Sequence, residues 1–379
     1  MQGILYFPKI SGRADWESGE IKLFCNQVFV SDSIKEIVPR YLLPLRGVID
    51  SPDIPLNVSR SALQSDRRVK SIGNFVAKKL ADKLKTLKKD ETQFYADIWD
   101  SIAPFIKIGA MEDEKFAEQV KDIILYSTTK VPVEDNEENN ELVKSGSKTF
   151  TTLEGYKNRL TDENKKILYS TDEVSQSTAL NMWTSQGKEV LKLDTVIDTQ
   201  FIPWLEEKNK EINFVRVDSE LDESIKDDSP EIADKDGNTK SETLKKMISS
   251  ALNNEKVTVQ VQSLKGDNSP PSLILLPEQM RRINDITALM EQKLPGLPEY
   301  HNLIVNSNHP LIQGLLKLNS NPIVIEGSSK SEEGQLASDI AIHVYEMAKL
   351  SIGGLENKDI AAFQTRNAEV LGKLMQKFV

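Results

Sequence analysis

Between Tyr41 and Ile72 the sequence reads YLLPLRGVIDSPDIPLNVSRSALQSDRRVKSI, and this stretch restricts the fold more than any other. Leu42, Leu43, Leu45, Val48 and Ile49 make an apolar run, but Pro44, Gly47, Pro52 and Pro55 interrupt regular structure. A shaped, stiff loop is therefore predicted in the middle. After Pro55 the pattern becomes that of a long helix, with Ser59 or Ser61 placed to cap its first amide groups and Arg60 in its first turn. A cation there opposes the helix macrodipole by a few tenths of a kcal/mol, so Arg60 is expected to face a negative partner. A guanidinium offers a planar fork of donors that suits a phosphate.

The segment LPLRGVIDSPDIPLNVSRSALQ resembles the signature of the heat-shock protein 90 chaperones, in the loop and helix of their middle domain. The likeness extends over twenty-odd positions, far more than a short motif. It implies that Arg60 reaches the γ-phosphate of ATP held by a separate N-terminal domain, with Asn57 and Gln64 assisting. Arg60 and Gln64 are then the nucleotide contacts of this chain. One departure is Ser61, where the family usually has an acidic residue, so a salt bridge from that position is not carried over.

The helix following the loop keeps an apolar stripe at Val69, Ile72, Val76, Leu80, Leu84 and Leu87, spaced three and four apart. Its other face is basic: nine Lys or Arg lie between Arg67 and Lys89 against Asp82 alone. That face reads as solvated and paired with acidic neighbours, or as a docking surface for an anion or an acidic partner. An anion- or nucleic-acid-binding protein using residues 67–89 is the alternative function. The net charge of −10 disfavours general nucleic-acid affinity, which draws on a cationic field, and Phe75 is the helix's one aromatic where stacking on bases needs several. A metabolic enzyme would need a convergent acid, base or nucleophile beside a phosphate loop, and none is evident.

At 379 residues the chain suffices for two or three domains. GILYFPK and IKLFCNQVFV read as strands, with Cys25 a small buried strand residue. One cysteine makes no internal disulfide, which suits a reducing cytoplasm. TQFYADIWDSIAPFIKIGA and EDEKFAEQVKDIILYS read as helices, the first kinked or ended by Pro104, and EDNEENNE as a loop. From Thr152 strands and helices alternate: KKILYST, a helix over 174–185, KEVLKLD, a helix over 199–208 and NFVRVD. Parallel strands with crossover helices follow, with no glycine-rich phosphate loop after the first. Nine acids between Asp218 and Asp236 mark a boundary.

Beyond it come helix SETLKKMISSALN, strands KVTVQVQSL and PPSLILL, and helix PEQMRRINDITALMEQK with Met280, Ile283, Ile286 and Met290 on one side. A short helix HPLIQGLLKL, a helix over 334–351 and a last helix after Gly353 and Gly354 complete the chain. Their apolar stripes, Leu336, Ile340, Val344 and Met347, then Ile360, Phe363, Leu371, Leu374 and Phe378, suggest pairing with a second copy. His301, His309 and His343 have no other ligand type at metal spacing, so no metal site is expected.

The architecture expected from these patterns and from the resemblance is α/β and α+β multidomain. A three-layer α/β middle domain over 1–150 carries a small α/β/α subdomain over 151–220. An acidic linker over 221–240 leads to a C-terminal mixed α/β domain over 241–379 that ends in a helical dimerisation bundle. The family resemblance implies a chaperone, of the bacterial branch called high-temperature protein G since the chain ends KFV. Unfolded clients would meet Phe201, Trp204, Met280, Ile283 and Met290; dimer partners would meet Leu336, Ile340, Val344, Met347, Ile360, Phe363, Leu371 and Leu374. Co-chaperones are possible partners; membrane and nucleic acid are not expected. The likeness begins partway through the middle domain, so ATP with Mg is expected only where the nucleotide-binding domain is present, and no hydrolysis by these residues alone.

Overall fold

The computed structural model describes residues 1–8, 21–31, 38–52, 67–132, 141–160, 166–219, 226, 239–266, 269–276, 300–319, 332–352, 354–355 and 357–376. The chain is mixed α/β, with several sheets, and divides into two compact units: Met1–Lys166 with Gln200–Asn213, and Ile167–Thr199 with Phe214–Val379.

In the first unit β1 (Gln2–Tyr6), β2 (Ile21–Cys25), β3 (Val28–Ser31) and β4 (Arg46–Asp50) form one sheet in the order β1-β4-β2-β3. β2 shows why: Ile21, Leu23 and Cys25 are buried while Lys22 is exposed, the two-residue period of a strand with one face on a core. Asn26 and Gln27, at φ of 49° and 67°, turn β2 back into β3. β4 is a correction to the loop expected over this part of the sequence. Gly47 sits inside the strand at φ 141°, and a Cβ there would lie 1.9 Å from the Ile4 carbonyl oxygen. The glycine does not break the strand; it lets β1 approach.

Three helices cover this sheet's unit: α1 (Arg67–Asp90), α2 (Thr92–Glu112) and α3 (Glu114–Val120). α1 packs against both α2 and α3. Of the stripe read from the sequence, Ile72, Val76 and Leu84 are 3–5% exposed and Leu80 and Leu87 are partly buried, while the side chain of Val69 lies outside the described residues. Pro104 does not end α2, which runs on to Glu112. Burial of Ile102, Ala103, Phe105 and Ile106 on both sides of it offsets the roughly 3 kcal/mol that an interior proline costs a helix. The Asp113 carboxylate caps α3, accepting from the amides of Lys115 and Phe116 at 2.9 and 3.1 Å.

The helix expected over EDEKFAEQVKDIILYS stops at Val120, earlier than predicted. Ile123, Ile124, Leu125 and Tyr126 are all buried, and four consecutive buried residues fit an extended path rather than one helical stripe. Tyr95 Oη fixes that path by donating to the Ile123 carbonyl at 2.9 Å. β5 (Tyr126–Thr128) then pairs antiparallel with β7 (Lys148–Thr151), which forms a hairpin with β6 (Val143–Ser145). α4 (Leu153–Asn158) follows, capped by Thr152.

The second unit begins with β8 (Lys166–Ser170), α5 (Ser177–Ser185) and β9 (Val190–Lys192), and β8 and β9 are parallel as the alternation predicted. α6 (Asp198–Lys208) comes next in the chain and belongs, from Gln200 on, to the first unit; β10 (Asn213–Arg216) lies beside β8. α7 (Lys240–Leu252) opens with a capping box in which Thr239 and Glu242 satisfy each other's backbone amides. β11 (Val257–Gln262), β12 (Ser272–Leu275) and β13 (His301–Asn306) make a sheet in the order β11-β13-β12, parallel then antiparallel. α8 (Pro310–Asn319), α9 (Glu332–Ser351) and α10 (Asn357–Gln376) close the unit.

Two apolar clusters hold it. One gathers Leu244, Ile248, Val259, Leu303, Ile312 and Leu336 around α9. The other joins Leu168, Trp183 and Val190 to Leu264, Leu273 and Ile304. Residues on both sides of the acidic stretch 221–240 therefore share one core.

Candidate functional site

The stretch on which the sequence reading centred is held at its upstream end by the β2–β3 turn. Ser51, 1% exposed, donates its amide to the Phe24 carbonyl at 3.0 Å, and Gln27 donates its amide to the Asp50 carboxylate at 2.9 Å. Cys25, buried as expected, places its Sγ 3.8 Å from the Pro52 carbonyl oxygen. At the downstream end α1 is fixed by Ile72 and Val76. Two anchored points thus flank residues 53–66. Asn57, Ser59, Arg60, Ser61 and Gln64 lie outside the described residues, as do Met280, Ile283 and Met290.

The basic face of α1 is largely in solvent. Lys78, Lys79, Lys83, Lys85 and Lys89 are exposed, and the Lys79 ammonium stands 5.6 Å from the centre of the Phe75 ring. Lys88 differs: it is half-buried and donates to the Asp122 carbonyl at 2.5 Å. Burial lowers its pKa from the ordinary lysine value, against the opposing pull of Asp122 and Glu141.

The two aromatics expected to meet clients separate. Phe201 is fully buried, stacked at 6.5 Å on Tyr126 and at 5.2 Å on Trp204, with the Lys107 ammonium 5.6 Å from its ring centre. It is a core residue and offers a client no surface. Trp204, one turn later on α6, is partly exposed.

The expected dimer residues separate as well. Leu336, Ile340 and Val344 are 3%, 6% and 1% exposed, consumed by the cluster that α9 shares with α7, α8 and β12. Their stripe is therefore an internal face. Ile360 and Phe363 are half-buried, and Phe363 stacks on His343 at 5.3 Å. The side chain of Leu374 lies outside the description. Met347 and Leu371 are exposed, and with them Leu350 and Met375, which the sequence reading missed. The 347–350 and 371–375 spacings, three and four residues, carried the signal. Ion pairs Arg366–Glu346, Lys373–Asp339 and Lys349–Asp359 tie α9 to α10.

Among the described residues no three metal-ligating side chains converge. His301 is buried, with Nε2 2.9 Å from Tyr345 Oη, and burial with Glu346 nearby pushes that tyrosine's pKa up to about 12. No described helix is long and apolar enough to cross a membrane.

The family model for Hsp90 protein matches residues 1–377. Chaperone protein HtpG of Porphyromonas gingivalis is 36% identical over 334 residues, which cover 83% of this chain and 45% of that protein. Chaperone protein HtpG of Bacteroides thetaiotaomicron is 34% identical over 331 residues, with the same coverage of 83% and 45%. Chaperone protein HtpG of Idiomarina loihiensis is 29% identical over 368 residues, 92% of this chain and 54% of that one. The chain thus spans about half the length of the curated relatives it matches.

Proposed function

This chain belongs to the Hsp90 protein family, and from that premise we propose that it is the middle and C-terminal part of a dimeric, ATP-driven cytoplasmic chaperone. Arg60, with Asn57 and Gln64, acts on ATP and Mg held by an N-terminal nucleotide-binding domain. The guanidinium stabilises charge that develops on the transferred phosphoryl group. Unfolded segments are held on the partly exposed Trp204, together with the methionines 280 and 290. A second copy pairs along Met347, Leu350, Leu371 and Met375, whose side chains stand in solvent.

One observation carries the nucleotide reading: the strand end at Ser51 and the helix face at Ile72 and Val76, on either side of residues 53–66, are both buried. Fixed flanks are what positioning a single cation against a phosphate calls for. The test joins the chain to the part of the Porphyromonas gingivalis relative that precedes the matched region and measures ATP turnover and ATP affinity together. Arg60→Ala is expected to lower turnover by a factor on the order of a thousand, the lower edge of what an arginine finger contributes, with affinity nearly unchanged. Loss of affinity in step with turnover would assign Arg60 to binding instead.

A further inference from the structure

The nucleotide reading leaves unused the basic face of α1 and a groove of about 800 Å³ beside it, walled by β1, α1 and α2 within the first unit. Its lining is mostly aliphatic, with Leu5, Ile49, Val76, Leu80 and Ile102 along the bottom. Phe75 and Phe94, 46% and 50% exposed, are also in the lining, and among the described residues β1 is an edge strand of its sheet with Ile4 and Tyr6 in solvent. An opening of this volume admits several large side chains, more than a lone surface contact needs.

The charge around it is one-sided. Lys79 and Lys83 come from α1, and the counter-charge among the lining residues is Asp97 of α2, whose carboxylate accepts a hydrogen bond from Gln93 at 2.9 Å. Lys78, Lys85 and Lys89 extend the positive face along α1, in a chain whose net charge is −10. Such local reversal of sign steers a negative partner and rejects a positive one.

We propose that this groove docks a short peptide segment that is apolar on one side and acidic on the other. The apolar side chains fill the aliphatic floor, and the carboxylates meet Lys79 and Lys83. A nucleic acid fits less well: phosphates could use the lysines and bases could stack on Tyr6, Phe75 or Phe94, but aliphatic residues outnumber these aromatics in the lining and suit apolar side chains better than bases. The proposal is independent of the role given to Arg60, since it uses no residue of 53–66.

The test titrates the intact chain into two short fluorescein-labelled peptides that share Leu and Phe positions and carry either Glu or Lys between them. Anisotropy is read at low salt. The Glu peptide is expected to bind about ten-fold tighter than the Lys peptide. Lys79→Glu with Lys83→Glu should invert that preference. Phe75→Ser, at an exposed position, should weaken both peptides, with unchanged thermal melting showing that the fold is intact. Equal affinity for the two peptides, no binding of either, or indifference of the Glu peptide to the lysine reversals would overturn the proposal. So would a single-stranded oligonucleotide that displaces the Glu peptide while Phe75→Ser has no effect.

Discussion

α1 and α10 are both long amphipathic helices with apolar residues three and four apart, yet they are covered differently. In α1 the stripe at Ile72, Val76 and Leu84 is 3–5% exposed beneath α2 and α3. In α10 Val370 is 6% exposed, while Leu371 and Met375 stand at 54% and 62%. The difference teaches that helical periodicity reports the existence of an apolar face and says nothing of what will lie against it. α9 makes the same point from the opposite side: its most regular stripe is spent on its own unit, and the residues left over are the ones in solvent.

Truncating one stripe residue on each helix separates the covered face from the bare one by the largest margin. Leu84→Ala should cost about 2–5 kcal/mol through the cavity it leaves, read as a lower urea midpoint for the first unit. Leu371→Ala, measured where the protein is monomeric, should stay within about 0.5 kcal/mol. Similar losses at the two sites would erase the distinction.

A smaller effect sharpens it. His343 of α9 stacks on Phe363 of α10, with Glu346 and Arg366 as the neighbouring charges. Burial lowers its pKa below 6.5; Glu346 pulls it up and Arg366 adds to the lowering. The unfolded chain therefore takes up the proton more readily than the folded one. Stability from this site is complete above the unfolded value and falls as pH drops through it. Thermal melts between about pH 7.5 and pH 5.5 should show the second unit weakening with acid, and His343→Gln should reduce that slope. An unchanged slope would remove His343 from the account.

The sequence made the secondary structure legible wherever burial is one-sided. The α1 stripe, the parallel pair β8 and β9 and the buried Cys25 all follow from period and residue type. It misled where packing overrides local preference. Gly47 is inside a strand because β1 approaches there, and Pro104 is inside a helix because both flanks are buried. Phe201 and Trp204 are three residues apart and chemically alike, and only the position of Tyr126 and Lys107 makes one core and leaves the other partly exposed. Of the candidate site, the anchoring of its flanks at Ser51 and Ile72 is a tertiary fact with no local signal beyond the apolar stripe.

The proposal that Met347 and Leu350 of α9 and Leu371 and Met375 of α10 meet a second copy is tested by the solution mass of the chain, from light scattering. The account predicts twice 42.6 kDa, falling to 42.6 kDa with Leu371→Asp and Met375→Asp while the fold is retained. A mass of 42.6 kDa for the unaltered protein at high concentration, or a dimer indifferent to both substitutions, would contradict it.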